Sequence, residues 1–216
     1  MVDIYTKDEE KVQVRVISPY PIELYGKSQC CGCLCCKSCL CCISNPNANH
    51  IEFDTIMVHI HGGGFVALSS FSTQNYTRKW AKSLGIPIFS IDYRLTPQFA
   101  FPDALNDCLC VYDFLTDHAY RFMNLRPKKI IVCGDSAGGN LVLTLTASLM
   151  KKDITRIPHG IYVAYPATDF RERFSPSRIY SLNDTLLFAT LLFVCRSAYL
   201  RESDDKNPLV SPLLLT

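Results

Sequence analysis

The feature that most constrains this chain is Gly134-Asp135-Ser136-Ala137-Gly138-Gly139, entered from the apolar run Lys129–Cys133 and left through the helical pattern Ala137–Met150. A G-x-S-x-G turn between a strand and a helix forces a non-glycine residue into a strained conformation, so the flanking residues must be small where the backbone crowds. Such a turn belongs at the carboxyl edge of a buried, mostly parallel sheet. It would lift the Ser136 hydroxyl above a helix N-terminus and leave the Ala137 N–H facing the same space. Taken alone, the segment also fits a glycine-rich turn that binds phosphate or merely packs closely.

The surrounding pattern supports the parallel sheet. Strands are expected at Lys11–Ser18, Thr55–Ile60, Ile86–Tyr93, Lys129–Cys133 and Ile161–Ala164, and helices at Ser72–Leu84, Ala104–Phe122, Ala137–Met150 and Asn183–Leu200. Strands alternate with helices, and the central strands are apolar on both faces, as in a sheet covered on both sides. The apolar run Leu186–Cys195 reads as a buried or lid helix, because it falls short of the ~20 residues that span a bilayer.

A second motif has independent chemistry. His61-Gly62-Gly63-Gly64-Phe65 follows the strand Thr55–Ile60, and glycines there leave backbone N–H groups open to an approaching carbonyl. Gly63 and Gly64 are the expected oxyanion donors together with Ala137. His61 and Gly62 are expected to position the loop, His61 by hydrogen bonding and not as a base. Both motifs point to acyl transfer through a serine nucleophile, Ser136.

These residues resemble the hormone-sensitive lipase group of α/β-hydrolases. The matching pieces are HGGGFVA (61–67), SIDYRLTPQFAFPDAL (90–105), GDSAGGNL (134–141), HGIYVAYPATDF (159–170), SPSRIYSL (175–182) and NPLVSPLL (207–214). The resemblance implies an α/β-hydrolase fold and hydrolysis of carboxylic esters, often acylglycerols or sterol esters, through an acyl-enzyme on Ser136. It makes Tyr93, Pro97 and Asp103 scaffold residues. Gln98 departs from the group's usual Glu.

In this fold the triad runs serine, acid, histidine. After Ser136 the remaining histidine is His159, in a turn that the resemblance makes a surface loop, and Asp169, Asp184, Asp204 and Asp205 do not fall at the expected late strand end. No acid or base is assigned. The C-terminal part of the fold is expected to be missing, through an incomplete chain, a decayed enzyme or completion by a second chain, the first being favoured. A catalytically incomplete module that binds acyl ligands is the alternative to a lipase or esterase. The apolar helix and Phe65 would line an acyl pocket or simply pack in the core.

The division expected is an N-terminal segment, 1–54, and a catalytic domain, 55–216. The segment carries Cys30, Cys31, Cys33, Cys35, Cys36, Cys39, Cys41 and Cys42 within residues 30–42. That cluster fits a palmitoylated string, a thiolate metal site or low-complexity sequence. Leu34 and Leu40, without compensating acids, favour lipid, hence peripheral contact with a membrane or lipid droplet. With 22 basic and 20 acidic residues, no footprint for nucleic acid exists. The polar first ten residues lack a secretory layout, so a cytoplasmic protein is expected. No metal or cofactor is expected.

Overall fold

The computed structural model describes residues 1–5, 10–20, 22, 53–119, 123, 125–173 and 176–215. The cysteine cluster lies outside them. Among the described residues six strands form one sheet: β1 (Val2–Tyr5), β2 (Lys11–Ile17), β3 (Thr55–Ile60), β4 (Ile88–Asp92), β5 (Lys129–Asp135) and β6 (Gly160–Ala164), in the order β1-β2-β4-β3-β5-β6. β1 and β2 run antiparallel, and β2 is antiparallel to β4, while β4, β3, β5 and β6 are mutually parallel. The N-terminal strands therefore extend the sheet that carries both glycine motifs.

Helices α1 (Gln74–Leu84), α2 (Asp103–Asp117) and α3 (Ala137–Lys152) supply the crossovers, followed by α4 (Pro176–Tyr180) and α5 (Ala189–Leu200). The period of two within the strands sends side chains to two separate cores. Ile56, Val58 and Ile60 of β3 join Phe89, Ile91 and Val132 beneath Leu105, Val111, Leu141 and Leu145 of α2 and α3. Met57, Ile88 and Cys133 instead meet Ala81 and Trp80 of α1. The sheet is thus apolar on both faces because both are covered. Gly85 ends α1 in the left-handed region at φ 68°, its N–H bonded to Ala81 O at 3.0 Å, the punctuation a glycine there favours.

Two expectations are corrected. The helix expected at Asn183–Leu200 begins only at Ala189. Asp184 turns the chain first, its carboxylate accepting the N–H groups of Leu186 and Leu187 at 2.8 Å each, a local side-chain bond that competes with helix. Nor is this stretch buried throughout: Leu186, Leu192 and Phe193 are exposed, and α5 packs inward through Cys195, Tyr199 and Leu200. Phe65 belongs to the core, stacked on Tyr199 with ring centroids 3.7 Å apart. Among the described residues no helix is long and apolar enough to cross a membrane.

Candidate active site

The chain visits β3, moves to β4 on one side, then crosses to β5 on the other. The loops leaving β3 and β5 therefore diverge from adjacent carboxyl ends, the crevice where open α/β sheets bind ligands. Ile60 pairs with Gly134, so the glycine run and the serine turn leave the sheet side by side.

Ser136 sits at φ 52°, ψ −117°, a conformation costing on the order of 1–3 kcal/mol for a non-glycine residue unless its surroundings hold it there. They do. Its N–H donates to Ala164 O at 3.0 Å, and its carbonyl accepts from Asn140 N and Ala167 N, each at 3.1 Å. Small neighbours are obligatory: a Cβ on Gly134 would lie 2.7 Å from the Gly138 backbone, and one on Gly138 would lie 2.6 Å from His61 O and collide with Ile60 O. Asn140, in the first turn of α3, donates to Ala167 O at 2.7 Å and Val210 O at 2.9 Å, tying two later segments beneath the turn. Ser136 spends its own N–H, whereas Ala137 opens the helix, where N–H groups have no intrahelical acceptor.

The glycine run needs its composition. Gly63 and Gly64 have φ of 104° and 63°. A Cβ on Gly63 would lie 2.8 Å from the Ala67 carbonyl carbon, and one on Gly64 would lie 2.8 Å from Cys195 Sγ. Gly63 O accepts Val66 N and Ala67 N at 3.1 and 3.0 Å, closing a tight turn. Gly62 lies against the serine turn itself, its Cα so close that a Cβ would come within 2.6 Å of Asp135 Oδ2. Both motifs pack as one unit.

His61 is a brace in this arrangement. Its buried ring stacks on Tyr93 at 4.3 Å, and Nδ1 lies 2.7 Å from Gly62 O, an acceptor that fixes the proton on Nδ1. Burial pushes its pKa down, keeping the ring neutral. Tyr93, read from the resemblance as scaffold, donates its hydroxyl to His61 O at 2.9 Å and Gly62 O at 3.3 Å. A further clamp was not visible in the sequence. Asp92 accepts the Ser70 N–H at 2.5 Å and its hydroxyl at 2.6 Å, while Arg15 of β2 donates to Ser70 Oγ at 3.0 Å. The departure at Gln98 lies on the surface, where its carbonyl accepts from Arg201 at 3.2 Å.

None of the described histidines is placed to take a proton from Ser136. His159 is held at the opposite end of β5, its Nδ1 accepting Ile130 N at 3.2 Å. Six residues of strand, about 20 Å, separate that point from the serine. His118 caps the far end of α2, a helix that runs back against the strands. His59 and His61 are buried and hydrogen-bonded to neighbours. The downstream acids are engaged locally as well: Asp169 with Arg171 at 2.7 Å, Asp205 with Arg196 at 2.8 Å, Asp184 with backbone, and Asp204 with Lys206 N at 2.9 Å.

A mostly parallel sheet with a strained serine at the switch point and a glycine loop beside it defines a class, and comparison with known proteins agrees. Residues 57–215 match the alpha/beta hydrolase fold family, to which this chain belongs. Among curated proteins it is similar to hormone-sensitive lipase of Mus musculus, 45% identical over 144 residues, which is 67% of this chain and 19% of that protein. It is also similar to an ethyl acetate hydrolase of Pseudomonas putida, 30% identical over 158 residues, covering 73% of this chain and 49% of that one. An esterase structure from Pyrobaculum calidifontis superposes with a TM-score of 0.78 at 24% identity, covering all of this chain and 59% of the other, a likeness of fold. The chain thus spans between a fifth and about half of these curated relatives.

Proposed function

We propose that this chain carries the nucleophile and oxyanion hole of a carboxylic ester hydrolase. Ser136 attacks the ester carbonyl, and the N–H groups of Gly63, Gly64 and Ala137 receive the charge that develops on oxygen. The alcohol leaves, and water then releases the acyl group from the serine. The observation that carries this reading is Ser136 itself: a strained, non-glycine residue at φ 52°, held by three backbone hydrogen bonds, beside a positive-φ glycine loop. Strain of this kind persists where the geometry is put to use.

The relatives' names support the reaction class. One is a lipase and the other an ethyl acetate hydrolase, which supports an acyl ester as the substrate here; acylglycerols or sterol esters are the branch the motif resemblance favours. The serine hydroxyl also needs a base, which lies outside the described histidines. Without one, rate falls by orders of magnitude, while an oxyanion hole with substrate binding retains about 10³–10⁴-fold over water.

A fluorophosphonate probe tests the reading directly. Wild-type protein is expected to label at Ser136, slowly where no base assists and fully on prolonged exposure, and Ser136→Ala to lose the label completely. Folded wild-type protein that stays unlabelled would replace an enzyme with a module that binds acyl ligands.

A further inference from the structure

Beside the serine turn, on the sheet face covered by α1, runs a polar chain, buried at Ser90 and His59 and half-buried at Tyr76 and Asp135, that the ester chemistry does not use. His59 of β3 is 1% exposed, with Nδ1 2.8 Å from Ser90 Oγ and Nε2 3.1 Å from the Tyr76 hydroxyl. Tyr76 in turn lies 3.3 Å from Asp135 Oδ1. Trp80 closes the site, its ring 4.8 Å from Tyr76 and 6.2 Å from His59.

Proton counting fixes the direction of every bond. The Asp135 carboxylate only accepts, so the single phenolic proton of Tyr76 goes to it. Tyr76 oxygen must then accept from His59, which puts the imidazole proton on Nε2. His59 is neutral, because burial pushes its pKa down to about 3, so Nδ1 has no proton and accepts from Ser90. Three donors point one way, from Ser90 through His59 and Tyr76 to Asp135.

Asp135 stands between the two motifs. It precedes Ser136 in sequence, and Oδ2 is so near Gly62 that a Cβ there would come within 2.6 Å. We infer that Asp135 is a positioning residue that sets the spacing between Ser136 and the glycine run, and that Tyr76 and His59 hold its carboxylate in place through a one-way chain of hydrogen bonds. This rests on the reading of Ser136 as the nucleophile. The chain does not touch substrate. It fixes where the attacking oxygen stands relative to the amides that receive the oxyanion, a distance to which rate is steeply sensitive.

Tyr76→Phe removes one hydroxyl and keeps the ring against Trp80. Its rate constant for phosphonate labelling is expected to fall about tenfold or more. Val111→Ala, a cavity in the core on the opposite face of the sheet, serves as the control for lost stability and is expected to label at the wild-type rate. Long-range proton–nitrogen NMR of His59 reads the chain without any reaction: the Nε2–H tautomer at neutral pH in wild type, and altered ring resonances in Tyr76→Phe. Equal labelling of wild type and Tyr76→Phe overturns the inference while leaving the nucleophile in place. A slowing that Val111→Ala reproduces also overturns it. If wild type does not label, the proposed hydrolase falls, and the positioning role falls with it. An Nδ1–H or cationic His59 overturns the chain whatever the labelling shows.

Discussion

Where β3 and β5 end, almost nothing can be enlarged; fifty residues further along, between Ile179 and Val194, large apolar side chains stand in solvent. In the first region Gly62, Gly63, Gly64, Gly134 and Gly138 each lack room for one more carbon. In the second, Leu186 and Phe193 are 78% and 58% exposed. Composition would have ranked them the other way, since the second is the more hydrophobic. Apolar residues are buried only where an opposing surface exists. Close packing, by contrast, marks the place where two loops must be held in register.

Four substitutions or titrations sharpen that contrast, the strongest first. Gly138→Ala drives a methyl into the Ile60 and His61 carbonyls and is expected to cost more than about 3 kcal/mol in denaturant unfolding. A small loss would show that the loops yield. Ser70→Ala cuts the link between Arg15 and Asp92 and leaves a half-buried carboxylate short of a donor. The expected loss is about 2 kcal/mol, read by the same unfolding curves.

The third is a pH dependence. His59 has its folded pKa depressed from 6.5 to about 3, so between those values the unfolded chain binds a proton that the folded chain refuses. Stability is therefore full above 6.5 and lost as pH falls towards 3, by about 1 kcal/mol in the first unit. Comparing wild type with His59→Gln across that window isolates the contribution, and an unchanged slope would mean that His59 is not the group responsible. Smallest of all, Phe193→Ser on the outer face of α5 is expected to shift stability by no more than about 0.5 kcal/mol, with an unmoved thermal midpoint. A large destabilisation there would erase the distinction between the two regions.

Much of the architecture was legible because its signals are local. β3, β5 and α3 announce themselves by apolar runs bounded by glycine, and Gly85 stops α1 as read. β1 was not legible: Val2–Tyr5 is four residues with Asp3 among them, and it becomes a strand by pairing with Lys11–Val14. The start of α5 was misplaced because hydrophobicity cannot register the Asp184 turn. At the candidate site the motifs name Ser136, Ala137 and the glycines as candidates, since the proposed chemistry would demand those residue types. Asp92, Ser70, Tyr76 and His59 escaped notice because polar residues are informative only through partners far away in sequence.

Arg15 carries a practical lesson about trimming. Reaching from β2 to the serine that secures the loop after the glycines, it makes an N-terminal strand a structural support for the carboxyl edge of the sheet. A shortened derivative that begins at β3, however tidy it looks on paper, would discard the strut along with the flanking sequence, leaving the turn after the glycines propped from one side only.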